Sequence, residues 1–366
     1  MATAFAANPS RTRLGKRLRA LLDTAAQSML PIDLQAARFG RRDDVELLQP
    51  STRLPVDKDS GSALLTISWP NQDALQPPYL EASIHQAVTD LIEEWRGQDL
   101  LRAVNLEPRC SCLFYGPPGT GKTHLALSLG RSLQLPVAIA KLDSIISSYL
   151  GTTARNIANV FSFVDRYNCI LLLDEFDAIA KLRDDPQELG EIKRVVNSLL
   201  QSIDTRNTRR QLTFATTNHA QLLDPAVWRR FEVQIQLSKP SEDVRLALLR
   251  DAMKPLPIEA AQLKIFAWLT HGRSGADVVH FATAFKRTVA LQPDRSTIDV
   301  LRGYAAANSE RVPDSLNEIL LSSDRALARH LATLRTPRID QSEIARLFGR
   351  DKATISRWVR ASGAQN

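Results

Sequence analysis

Apolar residues along this chain fall into two patterns. Two unbroken apolar runs have strand length, Cys112-Leu113-Phe114-Tyr115 and Cys169-Ile170-Leu171-Leu172-Leu173, and Gln211-Leu212-Thr213-Phe214-Ala215-Thr216-Thr217 reads as a further strand. A run without alternation is what a strand buried on both faces shows. Other stretches carry helical spacing: His85–Trp95, His124–Leu129, Val244–Met253 and Asp277–Leu291. Val244–Met253 has a start signal, with Ser241 as N-cap and Glu242 and Asp243 in a first turn whose dipole favours acids. Strands interleaved with helices predict an α/β class.

The two ends read differently. Arg13–Leu22 has helical periodicity with one basic face, and Pro31, Pro50, Pro55 and Pro70 interrupt the chain beyond it. Ala63–Trp69 is a candidate strand within that stretch. Near the other end, Ser342–Gly349 reads as a short helix ending in glycine, Asp351 caps a second helix over Lys352–Arg360, and Asp324–Leu334 supplies a preceding helix.

Chemistry enters directly after the first apolar run. Gly116-Pro117-Pro118-Gly119-Thr120-Gly121-Lys122-Thr123 fits the phosphate-loop pattern G-x-x-x-x-G-K-[ST], between a strand and the helix that opens at His124. Glycines let backbone N–H groups curl round an anion, and the helix N-terminus adds its positive end. The segment from Gly116 to His124 is therefore the expected ATP-binding segment. Lys122 is expected to reach the β- and γ-phosphates and the Thr123 hydroxyl to sit on Mg²⁺.

The second apolar run ends in Asp174-Glu175. The carboxyl ends of sheet strands are where α/β folds bind ligands. Asp174 would orient the Mg²⁺ shell and Glu175 would polarise the attacking water. The further strand ends at Asn218, which either positions the lytic water or simply starts a turn. Then come Leu223-Asp224-Pro225-Ala226 and the adjacent Arg229 and Arg230.

From about Leu80 to Leu291 this series resembles the AAA ATPases, in the narrow sense that includes katanin, spastin and the membrane-anchored AAA proteases. The matching motifs are Gly116–Thr123, Leu171–Ala180, Ala215–Asn218, Leu223–Ala226 with Arg229-Arg230-Phe231, and Gly272-Arg273-Ser274-Gly275-Ala276-Asp277. The resemblance implies a doubly wound parallel-sheet domain followed by a small helical lid. It also implies a homo-oligomeric ring, usually hexameric, with ATP at subunit interfaces. Arg229 and Arg230 match arginine fingers that reach a neighbour's γ-phosphate, and Gly275 and Ala276 match lid residues beside the nucleotide. Tyr149, followed by Leu150, matches a first pore loop that grips polypeptide, with core packing as its other reading. Glu188–Glu191 falls where a second pore loop would be. The chain departs from the family pattern at Thr152-Thr153, in place of the usual Glu-Ser, at Arg273 and at Trp228.

The C-terminal helix pair resembles a helix-turn-helix of the repressor and transposase type. In such a unit Lys352, Thr354, Ser356, Arg357 and Arg360 would face DNA, with Ile355 packing inward. A helical hairpin used for protein contacts is the other reading.

Composition adds limits. The 366 residues are 44% hydrophobic and 24% charged, with a net charge of +7. This is ordinary soluble globular material, with no apolar run of membrane-spanning length. The mildly basic balance admits an acidic partner such as double-stranded DNA without requiring one. Cys110, Cys112 and Cys169 fit no zinc or disulfide spacing, and the strand cysteines are expected in the core. The N-terminal basic residues are followed closely by Asp23 and Asp33, which favours a basic helix over a transit peptide. A cytoplasmic location without membrane association is the default expectation.

The expected organisation is an N-terminal adaptor or docking region (1–79), a large ATPase domain (80–240), a helical lid (241–318) and a helix-turn-helix module (319–366). The first functional reading is an ATP-hydrolysing ring motor that threads polypeptide past Tyr149 and is targeted to DNA, with a separate protease or nuclease as a candidate partner. The alternatives are a DNA-acting ATPase of the transposition, helicase-loading or defence type, and an ATP-switched DNA-binding regulator.

Overall fold

The computed structural model of the protein describes residues 45–71, 76–145, 150–178, 189–335 and 337–360, by backbone alone at 150–151 and 189–194. The basic segment 13–22 and Tyr149 lie outside these residues. Six strands form one sheet: β1 (Thr66–Ser68), β2 (Ser111–Tyr115), β3 (Val137–Lys141), β4 (Ile170–Asp174), β5 (Thr213–Thr217) and β6 (Val233–Gln236). Their order is β1-β3-β4-β5-β2-β6. Strand β3 runs parallel to β4 with Val137 opposite Ile170, and β4 runs parallel to β5 with Leu171 opposite Thr213. The two apolar runs form β2 and β4, the further strand is β5, and β4 and β5 are buried at every position. Burial on both faces explains the continuous apolar character of β2 and β4, while the buried threonines of β5 are hydrogen-bonded.

Helices connect and follow these strands. They are α1 (Ala82–Arg96), α2 (Gln98–Arg102), α3 (Lys122–Ser132), α4 (Leu142–Ile145), α5 (Leu150–Arg166), α6 (Leu189–Thr208) and α7 (Pro225–Trp228). After β6 come α8 (Glu242–Ala252), α9 (Ala260–Leu269), α10 (Gly275–Leu291), α11 (Thr297–Ala307), α12 (Asp314–Leu321), α13 (Asp324–Thr333), α14 (Gln341–Phe348) and α15 (Lys352–Arg360). The chain divides into two compact units. One holds the described residues up to Gln76, His85–Phe114 and Ala126–Ile235; the other holds Pro77–Ile84, Tyr115–Leu125 and the chain from Gln236 on.

In the first unit the core gathers Leu113, Leu171, Leu173, Val160 and Ile203 from strands and helices. Leu48, Leu64 and Leu65, from within the expected N-terminal region, are buried in this same core. All three cysteines are buried, and burial pushes the Cys169 thiol up to about 11 and the Cys110 thiol to about 12. They are inert core groups. Arg206 is fully buried. Its guanidinium donates to Asp165 at 2.7 Å, to Thr213 Oγ1 at 3.0 Å and to the Leu212 carbonyl at 3.2 Å. It thereby ties the end of α5 and the end of α6 to the start of β5. Nothing in the sequence marks it out from other helical arginines.

In the second unit a continuous core runs from Leu249 through Phe266, Phe281 and Leu301 to Ile344 and Ile355. The segments expected as lid and as C-terminal module thus share one interior. The reason lies in α14, whose buried Ile344, Ala345 and Leu347 pack where α9, α11, α13 and α15 converge. Glu343 of α14 is also buried and accepts from Lys264 Nζ of α9 at 2.6 and 2.8 Å. Asp340 is the α14 N-cap, and Glu343 closes the capping box. Gly349 ends α14 in the left-handed conformation, φ 60°, with Arg350 N–H donating to the Ala345 carbonyl and Gly349 N–H to that of Arg346. This is the Schellman pattern.

Removing Arg206 takes from Asp165 its 2.7 Å partner, leaving it the exposed Arg209 at 3.2 Å, and takes a donor from Thr213 Oγ1. Arg206→Met should lower unfolding free energy by ~3 kcal/mol, the low end for breaking a buried pair because Asp165 is partly solvated. Urea denaturation checks this, and a loss under ~1 kcal/mol would contradict the assigned role.

Candidate nucleotide site

The phosphate loop is shaped by two close approaches. Gly116 has φ +141°, and a Cβ there would stand 2.1 Å from the Leu237 carbonyl oxygen. Gly119 has φ +73°, and a Cβ there would meet Ser274 Oγ at 2.7 Å and Ala276 Cβ at 3.0 Å. Only glycine serves at either position. Lys122 is buried, and its Nζ donates to the Gly116 carbonyl at 2.9 Å and the Pro117 carbonyl at 2.7 Å. Thr120 Oγ1 donates to the Pro117 carbonyl at 2.9 Å. Thr123 and His124 fall in the first turn of α3, with Gly121 and Pro118 completing the loop.

The N-terminus of α10 docks on this loop. The Ala276 N–H donates to the Gly119 carbonyl at 3.0 Å, and a Cβ on Gly275 would lie 3.4 Å from the same oxygen. Gly275 and Ala276 thus meet the phosphate loop directly. Ser274 caps α10, with Asp277 closing a capping box and pairing with Arg311 at 2.6 Å. Burial raises the Asp277 carboxyl, but the Ser274 hydrogen bonds and the Arg311 charge outweigh it and hold the group below the usual carboxylate range. Beside them a pocket is lined by Tyr79, Ile84, Thr120, Leu237, Val244 and Leu248. Tyr79 and Ile84 carry no sequence signal for this place, because they lie well before the loop and form no motif.

Within the first unit the carboxyl ends of β4 and β5 bring polar groups together. Thr216 Oγ1 donates to the Asp174 carboxylate, and both residues are buried. Glu175 sits at φ 57°, a conformation a non-glycine residue rarely adopts. Its N–H donates to Thr216 Oγ1 at 3.3 Å, and the next N–H, of Phe176, donates to the Thr216 carbonyl at 2.8 Å. Phe176 is fully buried against Phe231. Strain of ~1–3 kcal/mol persists only where surroundings over-determine the backbone, and such strain gathers at functional sites. Burial raises the Glu175 carboxyl, helped by a hydrogen bond and charge from Asp143 and by Asp174, while the Lys141 charge opposes. Asp177, also buried, accepts from Thr217 Oγ1 at 3.1 Å and from the Asn218 N–H at 3.2 Å. Thr216 and Asp177 are positioning groups whose only signal in the sequence is polarity inside buried runs.

The arginine pair separates. Arg230 is engaged with its own chain, pairing with Asp204 at 3.3 Å and donating to the Ala226 carbonyl at 2.9 Å. Arg229 is exposed. In the C-terminal pair, Lys352, Arg357 and Arg360 are exposed, Ser356 is half-buried, and the Thr354 hydroxyl is committed to Asp351 at 2.8 Å. Leu150 is the first residue of α5.

This architecture, a mostly parallel sheet with a glycine-demanding phosphate loop and a capped helix docked onto it, defines a phosphate-loop nucleotide-binding protein. Residues 112–239 match the model of the ATPase family associated with various cellular activities (AAA). Over these residues the chain is similar to the ATPase domains of that family. It is 41% identical over 179 residues to the uncharacterized AAA family ATPase y4kL of Sinorhizobium fredii, covering 49% of this chain and 54% of that one. It is 30% identical over 189 residues to the proteasome-activating nucleotidase of Methanococcus vannielii, covering 50% and 46%. The chain therefore spans about half the length of these curated relatives. Among solved structures it shares the fold of the FIGL-1 AAA domain, with a TM-score of 0.53, 19% identity, and coverage of 82% of this chain and 93% of that one.

Glu175→Gln keeps the shape of the side chain and removes its basicity. It should retain nucleotide binding and lose ~10²–10⁴-fold in ATP turnover, the range for a general base. Steady-state phosphate release beside a nucleotide-binding titration checks this; turnover within about tenfold of the parent would remove Glu175 from the role.

Proposed function

We propose that this protein is an ATP-hydrolysing ring motor that remodels protein substrates. The observation that carries the reading is the division of labour between Arg229 and Arg230. One chain bears a phosphate loop, a strained strand-end glutamate and a retained arginine, yet leaves the adjacent arginine exposed. An exposed guanidinium beside a retained one suits a group that acts on a neighbouring copy.

In this reading Lys122 and the loop N–H groups hold the β- and γ-phosphates. Thr123 and Asp174 would hold Mg²⁺, which would supply charge neutralisation on the phosphates. Among the described residues no three His, Cys, Asp or Glu side chains cluster as a metal cage. Mg²⁺ does not need one, since it keeps its waters and takes one or two carboxylates plus phosphates. Glu175 accepts a proton from the attacking water, and Asn218, its backbone fixed by Asp177, orients that water. Arg229 reaches the γ-phosphate of the next subunit, so hydrolysis depends on assembly. Arg230 positions α7 through Asp204 rather than acting as a second finger.

Threading of polypeptide past Tyr149, with Leu150 beside it, is the way such a ring would do work. The likeness to the proteasome-activating nucleotidase supports a protein substrate by analogy alone. DNA targeting is favoured by one further observation: Lys352, Arg357 and Arg360 form an exposed basic edge on α15. The residues committed to packing, Ile355 and the Trp358 ring against Phe348, lie on the other side. A ring would multiply weak contacts of this kind by avidity.

Two outcomes are expected. Arg229→Ala should lose ~10³-fold or more in turnover, regaining part of it when mixed with Lys122→Ala subunits that contribute an intact arginine. Arg230→Ala should act mainly through stability, and absence of rescue in the Arg229→Ala mixtures would count against a finger in trans. Arg357→Ala should weaken retention of a short DNA duplex and reduce the slope of log affinity against log salt by about 1. A full-length protein that ignores duplex DNA at ~50 mM salt, where phosphate contacts are strong, would end the DNA reading.

A further inference from the structure

Residues 46–68 clasp the first unit in a way that no motif announces. At one end, Glu46 N–H donates to the Arg166 carbonyl at 2.9 Å, the Glu46 carbonyl accepts from Asn168 N–H at 2.9 Å, and the Glu46 carboxylate pairs with Arg166 at 2.9 Å. These contacts sit at the C-terminal end of α5. Further along, the same segment reaches the other end of that helix. Asn156 Nδ2 donates to Asp57 Oδ2 at 2.6 Å, and Thr152 Oγ1 donates to Asp59 Oδ2 at 3.0 Å. A helix of 17 residues is about 25 Å long, so the strap is fastened near both ends of α5.

The Asp57 end is built as a rigid fitting. Asp57 Oδ1 accepts from the N–H groups of Asp59 at 2.7 Å and Ser60 at 2.9 Å, closing a turn pinned by the bridge between Val56 and Ala63. Asn156 is 1% exposed and Asp57 8%, so their bond is shielded from competing water. The hydrogen bonds from Ser60, Asn156 and Asp59 hold the Asp57 carboxyl below the usual range. Two carboxylates at the start of a helix also complement its dipole. A glutamate at position 152, usual in the related family, would set a third carboxylate against Asp59.

The strap then holds the other side of the same connection. Leu64 and Leu65 enter the core, and β1 pairs antiparallel with β3, Thr66 opposite Ile139 and Ser68 opposite Val137. Strand β3 and α4 lead into residues 146–149, and α5 leads out of them. Between the strap and the base of that connection lies a cavity of about 390 Å³, lined by Asp57, Ser60, Leu64, Ile139, Lys141 and Ser144. The hold passes round this cavity, through the β1–β3 pairing, the buried Leu64 and Leu65, and the Asp57–Asn156 and Asp59–Thr152 bonds.

The geometry points to the strap as the positioning element for both anchors of the connection from β3 to α5. Asp57 and Asn156 are its principal positioning residues. By holding both anchors, the strap supports polypeptide handling by the connection between them. The functional half of this inference rests on the threading reading; the mechanical half does not.

The full-length chain tests both halves with three variants: Asn156→Ala, Asp57→Asn, and the swap Asp57→Asn with Asn156→Asp. The swap exchanges donor and acceptor across the bond, while the new amide oxygen at position 57 still accepts from the N–H groups of residues 59 and 60. Hydrogen exchange should quicken ~10-fold at the amides of residues 150–156 in either single variant and return to the parental rate in the swap. Basal ATP turnover should stay within about twofold, while stimulation by an unfolded probe polypeptide, reduced carboxymethylated α-lactalbumin, should fall ~2- to 30-fold and recover in the swap. Unchanged exchange in the single variants, or no recovery in the swap, overturns the strap as a positioning element. Altered exchange with unaltered stimulation overturns its link to polypeptide handling. A parent protein that the probe never stimulates refutes threading instead, and the exchange result then decides the mechanical inference alone.

Discussion

The close approach of backbone to backbone at the phosphate loop is the constraint on which the second unit depends. At Gly116 and Gly119 there is no room for even a methyl group, because the Leu237 carbonyl and the Ser274–Ala276 turn occupy it. Helix α10 stands directly against the loop, its Ala276 N–H donating to the Gly119 carbonyl, and is held by its own cap. Ser274 and Asp277 close that cap, and Arg311 anchors Asp277. From there the helices share one apolar interior as far as Ile355, with the Lys264–Glu343 pair bridging α9 and α14. A displacement of the α10 N-terminus relative to the loop is therefore felt by a packed body, since close-packed cores shift as units rather than deform smoothly.

In the first unit the equivalent constraint is polar satisfaction at the strand ends. Asp174 and Asp177 are both buried, and each is engaged by a hydroxyl from the neighbouring strand. A buried carboxylate without such partners would be neutralised or expelled. Thr216 has two roles, donating to Asp174 and accepting from the Glu175 N–H, so the strained glutamate and the acidic strand end are set by one side chain. Arg206 acts similarly at the opposite end of β5. Pairing at both ends of one five-residue strand fixes its register, and with it the position of Asn218.

Much of this is readable in the residues alone. Unbroken apolar runs identify β2 and β4 because strands buried on both faces have no reason to alternate. Glycine spacing identifies the phosphate loop because few other residues tolerate its dihedral angles. Caps at Ser241 and Asp351 locate helix starts because their side chains satisfy N–H groups that nothing else reaches. Strand β3 and helices α5, α6, α9, α11 and α12 do not stand out, since their patterns carry no punctuation of comparable strength. Residues 45–71 are obscured by their prolines, which mark turns but do not say what the turns touch.

The sequence by itself determined the nucleotide chemistry of this protein, because local conformation and side-chain type dictate what a glycine-rich loop and an acidic strand end can bind. Tertiary structure alone decided which of two adjacent arginines is retained by its own chain and which is exposed. It also decided that Thr216 and Asp177 support the acidic strand ends, that the C-terminal helices share a core with α8 to α11, and that an N-terminal strap fastens both ends of α5. These contacts join residues far apart along the chain. No local periodicity records them, because the energy that selects them exists only once the partners are packed together.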